Sequence, residues 1–191
     1  LLLQLGKTNV AISGDTRFDR VVAILEKDNT LDFISKFKNN TLTIVVGSSW
    51  PKDESLLVDF INTTNHKVKL IIAPHNIKKE QIQQLKNSIT KKTVLYSEKE
   101  NVTLADYVVF VIDTIGILTK IYSYADIAYV GGGFGNPGVH NILEPATFGV
   151  PIVIGSNYAH FAEATALVNM GGCISVSNKK ELDHAFTNLI Q

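Results

Sequence analysis

The residues from Gly131 to Gly138 read Gly-Gly-Gly-Phe-Gly-Asn-Pro-Gly, five glycines in eight positions. A loop stripped of side chains lets a ligand approach the backbone closely, and its N–H groups can converge on an anion. The loop follows the apolar run Ile127 to Val130 and precedes Leu143 to Phe148, whose spacing predicts a short helix with its start near Asn141. A helix start there adds its positive end to the loop, which makes a phosphate a natural ligand. The competing reading is a tight, irregular strand-to-helix turn, although a simple turn needs fewer glycines. Gly133-x-Gly135-x-x-Gly138 also fits the dinucleotide fingerprint. That fit is set aside, because it falls late in the chain, holds Pro137 inside it and lacks the acidic residue at a downstream strand end.

Asn141 and Glu144 stand three apart, and the spacing has two readings. In one, Asn141 is the N-cap and Glu144 reaches back to complete a capping box. In the other, Glu144 accepts hydrogen bonds from two sugar hydroxyls held at the loop. Ser48 and Ser49, between Gly47 and Pro51, are equally open. Their hydroxyls could cap the following helix, where proline suits the first turn, or hold a phosphate. His75, behind Pro74, is either a contact to a phosphate or base edge, or polar surface. No metal site is predicted, since the five histidines stand far apart and the single cysteine has no partner. The nucleophile elbow G-x-S-x-G of a hydrolase triad is absent. The basic stretch from Lys78 to Lys99 lacks interleaved aromatics and reads as a solvated helix face.

These loops need a scaffold, and its pattern is visible from Thr41 onward. Short apolar runs at Leu42–Val46, Val68–Ala73, Thr93–Tyr96, Tyr107–Ile112, Ile127–Val130, Pro151–Ile154 and Cys173–Val176 predict strands. Helical spacing separates them, to about Asn62, to about Asn87, and over Ile117–Tyr124, Leu143–Phe148, Phe161–Asn169 and Lys179–Ile190. The alternation predicts an α/β domain of six or seven mostly parallel strands, and continuous rather than alternating apolarity implies that both sheet faces are covered. Ligands of such sheets bind where the strands' carboxyl ends meet, and every loop named above lies there. Before Thr41, Val10–Ile12 reads as a short strand, Asp15 or Thr16 as an N-cap, Val21 to Leu25 as one helix and Leu31 to Phe37 as a second.

The chain has 191 residues, 45% hydrophobic and 19% charged, the balance of a soluble globular domain rather than a disordered or fibrous chain. Eighteen basic and 18 acidic residues cancel, so no global field draws in nucleic acid. Cys173 alone cannot form an internal disulfide, which fits a reducing compartment. No apolar run approaches the roughly 18 residues that span a bilayer. The chain opens at Leu1, and the leucines there read as the end of an element begun earlier, so the expectation is a fragment of a longer protein.

Four segments together resemble the Kdo transferases, which act in bacterial lipopolysaccharide biosynthesis. They are Gly14-Asp15-Thr16-Arg17-Phe18-Asp19-Arg20-Val21; Val46-Gly47-Ser48-Ser49-Trp50; Ala73-Pro74-His75; and Gly131-Gly132-Gly133-Phe134 with His140-Asn141-x-x-Glu144-Pro145-Ala146 and Gly149-Val150-Pro151. The resemblance covers nearly the whole chain. It implies the C-terminal, Rossmann-like half of a GT-B glycosyltransferase, with residues 1–40 the end of the N-terminal domain and the crossover, and 41–191 the CMP-sugar-binding domain. It implies a donor substrate, CMP-Kdo, with no cofactor and no metal. The acceptor, a lipid A precursor, would bind through the N-terminal half at the cytoplasmic face of the inner membrane. The family's proposed base, a glutamate, also belongs to that half, so this soluble fragment alone would be inactive and holds no catalytic residue. The donor site implied is Ser48, Ser49, His75, Gly131, Gly132, Gly133, Phe134, Gly135, Asn141 and Glu144, with Glu144 on the ribose hydroxyls. The family's Pro-Arg-His element here has no arginine between Pro74 and His75. The alternatives are a UDP-sugar-binding domain of another GT-B transferase or epimerase, and a non-catalytic nucleotide-binding module.

Overall fold

In the computed structural model, residues 3–6, 9 and 16–191 are described, with side chains from 21 onward in the second segment. The strand expected at Val10–Ile12 and the cap expected at Asp15 lie outside the described residues. Seven strands form one sheet: β1 Leu42–Ser49, β2 Val68–Pro74, β3 Thr93–Leu95, β4 Val109–Val111, β5 Ile127–Val130, β6 Ile152–Gly155 and β7 Cys173–Val176. All neighbouring pairs are parallel, in the order β3-β4-β2-β1-β5-β6-β7. Among the described residues the α-helices are α1 Thr16–Leu25, α2 Asp32–Lys38, α3 Pro51–Thr63, α4 Lys79–Ser88, α5 Leu118–Ile121, α6 Leu143–Thr147, α7 Ala162–Asn169 and α8 Lys179–Ile190.

The period of two along each strand divides the core between the faces. Ile44, Val46, Leu70, Ile72 and Tyr129 join α3, α4 and α8 in one cluster. Val45, Ile71, Phe110 and Ile154 join α2 and the α5–α7 side in the other. Both clusters bury apolar side chains, so the strands read as unbroken apolar runs. Phe37 and Ile34 of α2 are fully buried, and the Phe37 ring lies 5.2 Å from Phe110. Val21 and Ile24 of α1 pack with Leu143 of α6. Cys173 is a core residue, and burial pushes its thiol up to about 12.

Two expected elements lose more than one residue of their apolar pattern. The run Tyr107–Ile112 yields only Val109–Val111, because Tyr107 closes a 3-10 turn over Leu104–Asp106. The helix expected over Ile117–Tyr124 is α-helical for Leu118–Ile121 and tightens to 3-10 at Tyr122–Tyr124.

From β1 the chain moves to β2 on one side, and from β5 to β6 on the other. The β1–β5 boundary is thus the switch point, where the loops leaving two adjacent strands diverge and open a crevice at their carboxyl ends. Next to it, between β5 and β6, two backbones touch. A Cβ built on Gly133 would lie 2.6 Å from Gly155 Cα and 2.7 Å from its nitrogen and oxygen. No rotamer relieves a clash with backbone, so Gly133→Ala should push the β5 and β6 loops apart and cost about 1–3 kcal/mol. A lower urea midpoint with an unchanged m-value is the expected result.

Candidate functional site

β1 ends in an irregularity. Its register with β2 slips between Gly47 and Ser49, and Ser48 is left-handed at φ 53°. The twist buries Ser49, whose hydroxyl donates to Glu54 at 3.0 Å. Burial holds the Glu54 carboxyl above its usual value, and the Ser49 bond opposes that shift. Helix α3 then starts at Pro51, and Asp53 reaches back to accept from the Trp50 backbone N–H at 2.9 Å. This is half of a capping box, since tryptophan has no acceptor to return the bond. Asp53 is 1% exposed. Its carboxylate also accepts from the Tyr129 hydroxyl at 2.7 Å and from the Gly132 N–H at 3.0 Å. Burial, with Asp53 alongside, pushes the Tyr129 phenol up, so it remains a donor.

The glycine loop is mostly bonded to the protein itself. Gly131 donates to Gly47 O, Gly132 to Asp53, Gly135 to Gly132 O and Gly138 to Gly135 O. Gly132 is at φ 96°, which favours glycine. Asn157, after β6, clamps the loop from outside. Its N–H donates to Gly133 O, its side-chain amide to Gly135 O, and its carbonyl accepts from Val139. Gly133 and Phe134 keep backbone N–H groups with no intrachain acceptor among the described residues. The Phe134 ring packs against the core. The loop therefore offers fewer free donors than its glycine count implies.

Trp50, His75 and His140 stack beside this loop. The His75 centroid lies 4.5 Å from Trp50 and 4.7 Å from His140. The Trp50 indole N–H donates to His140 Nε2 at 2.8 Å. Burial lowers the His140 pKa, His75 lowers it further, and Asp53 opposes both.

On the other side of His140 opens a cleft of about 860 Å³, lined by α1 and Lys27, by Thr119 and Lys120, by Gly138 to Asn141, and by Glu144 and Phe161. Of the two readings of the Asn141–Glu144 spacing, the capping box does not form. Helix α6 begins at Leu143, as its apolar spacing predicts, with Ile142 in the cap position, one residue later than the capping-box reading requires. Asn141 Oδ1 accepts from the Leu143 N–H, and its amide donates to Glu144 Oε1 at 3.1 Å. Thr119 donates to Glu144 Oε2 at 2.7 Å. Glu144 is thus turned to the cleft wall and held from two sides.

The structure brings the sequence-predicted residues to one end of the sheet in two groups. Asn141 and Glu144 line the cleft. Ser48, Ser49, His75 and Gly131 to Gly135 form its inner support: Gly131 packs on Ser48 and Ser49, and the His75 N–H donates to Ser49 O. Sequence reasoning missed Asp53, Asn157 and the cleft-lining His140. His140 stands directly before Asn141, so the motif around Glu144 was the available signal. No group of three or more potential metal ligands occurs among the described residues. None of the described helices is long and apolar enough to cross a membrane.

A parallel sheet with a glycine loop and an acidic helix start at its switch point is the Rossmann-like arrangement of GT-B C-terminal domains. The chain matches a solved structure, the C-terminal CMP-Kdo binding domain of WaaA from Acinetobacter baumannii, with TM-score 0.70 and 20% identity, covering 92% of this chain and 90% of that one. In sequence it is 28% identical over 186 residues to the 3-deoxy-D-manno-octulosonic acid transferase of Chlamydophila psittaci, covering 92% of this chain and 42% of that enzyme. It is 32% identical over 152 residues to that of Chlamydia trachomatis serovar D, covering 78% of this chain and 35% of that enzyme. No family model matches. The chain belongs to the 3-deoxy-D-manno-octulosonic acid (Kdo) transferase family of GT-B glycosyltransferases. It spans about two-fifths of the length of these relatives.

Asp53→Asn tests the support under the glycine loop. The amide can keep its oxygen on the two N–H groups and donate to the Tyr129 hydroxyl, which then accepts, so the charge assistance of all three bonds is what is lost in this buried site. The expected cost is about 2–3 kcal/mol, read as a lower melting temperature against a surface control such as Asp59→Asn.

Proposed function

We propose that this domain binds CMP-Kdo in the cleft beside Glu144, as the donor half of an enzyme that transfers Kdo to a lipid A precursor. The observation that carries the reading is the setting of Glu144. Its carboxylate is not used to cap a helix, and each oxygen, already fixed by one donor, keeps a lone pair for a sugar hydroxyl. The ribose then lies against Glu144 and Asn141, and the phosphate toward the glycine loop where it enters the cleft at Gly138. The remaining donor-site residues (Ser48, Ser49, His75, Gly131, Gly132 and Gly135) act by shaping that wall.

Transfer from a CMP-activated sugar builds negative charge on the departing phosphate. Fixed N–H groups aimed at that oxygen stabilise the charge without a side-chain acid. The acceptor hydroxyl needs a base. We assign none here, and place the base, the acceptor site and the membrane-facing surface in a preceding domain, from which residues 1–40 make the crossover. The 191-residue chain alone is expected to bind the donor and to transfer nothing.

Calorimetry with CMP, CDP, UMP and UDP tests the reading. CMP should bind most tightly; a preference for UDP would favour a UDP-sugar transferase or epimerase instead. Glu144→Gln removes the charge and keeps the shape, and should weaken CMP by about 1–3 kcal/mol with an unchanged melting temperature. Equal CMP affinity in the variant would remove Glu144 from the site.

A further inference from the structure

We infer that His140 is held by Trp50 in a single tautomer, with its proton on Nδ1, and that this N–H donates to a phosphate oxygen of the nucleotide in the cleft. The inference rests on the reading that the cleft takes a nucleotide. The indole N–H of tryptophan is a donor only. At 2.8 Å from His140 Nε2 it requires a lone pair on that nitrogen. A neutral imidazole with a bare Nε2 carries its proton on Nδ1.

The rest of the ring's surroundings agree. A Cβ on Gly132 would lie 3.0 Å from His140 Cδ2, so the glycine backbone occupies that edge. His75 covers one flat surface of the ring at 4.7 Å. The edge left over is the one bearing Nδ1, and no residue described accepts a bond from it. His140 lines the cleft next to Asn141 and Glu144. Its partial burial and the His75 neighbour favour the uncharged ring that the Trp50 bond demands. A neutral donor there serves a phosphate without moving a proton. Trp50 acts through His140, and is a positioning residue.

Long-range proton–nitrogen NMR on the histidine-labelled chain reads the tautomer directly. The expected signature is a protonated Nδ1 and a bare Nε2 on His140; a protonated Nε2 overturns the inference. Two variants test the contact. His140→Asn places an amide N–H near the Nδ1 position, whereas His140→Gln reaches the Nε2 position. CMP affinity should stay within about threefold in the asparagine variant and fall about tenfold in the glutamine variant, the scale of one hydrogen bond. Cytidine, which lacks the phosphate, should bind all three proteins alike. Trp50→Phe keeps the stack and removes the indole donor, so a mixed tautomer and several-fold weaker CMP binding are expected. Equal CMP affinity in the asparagine and glutamine variants, or a parallel loss for cytidine, overturns the phosphate contact. If the parent prefers UDP, the CMP reading fails, and the same variants measured with UDP and uridine decide the role of His140.

Discussion

One buried carboxylate joins the parts of this site. Asp53 sits at the start of α3, where its charge faces the positive helix end, and three donors from three segments converge on it: the Trp50 N–H, the Tyr129 hydroxyl and the Gly132 N–H. A carboxylate in so dry a place is tolerated only when its lone pairs are matched. The requirement works in both directions. The helix, strand β5 and the glycine loop must be in register for the charge to be satisfied, and the charge holds them in register. The position of Trp50, and through it the Trp50–His140 bond, follows from the same anchor.

The sheet decides where that anchor can act. With every strand parallel, all seven carboxyl ends lie along one edge, and the reversal between β1 and β5 opens the crevice there. Gly131 then donates to Gly47 across that boundary, which ties the two loops at their roots. Beyond the roots the loops diverge, and α1, α6 and the segment around Thr119 wall the cleft.

The scaffold was largely legible in the sequence. Strands Ile127–Val130 and Cys173–Val176 and helix Lys179–Ile190 coincide with their apolar patterns, because burial on a parallel sheet writes itself into contiguous residues. The site was legible as a set of loops and less so as a set of contacts. Asn141 and Glu144 have the spacing of a capping box, and only the structure shows Ile142 taking the cap position and the carboxylate turned to Thr119. Ser48 and Ser49 could equally have faced a ligand, but the left-handed Ser48 turns Ser49 onto Glu54. Asp53 looks in sequence like any acidic residue in a first helical turn. Asn157 lies 22 positions from Gly135, whose carbonyl it binds, and such distant pairs leave no local pattern.

The contact between Gly133 and Gly155 reaches beyond packing. Two bare backbones in touch, with Asn157 bonded across them, leave the glycine loop little freedom to fluctuate. Its backbone N–H groups are therefore set in direction as the chain folds. The entropy of ordering them is lost in folding itself, not in any later binding step.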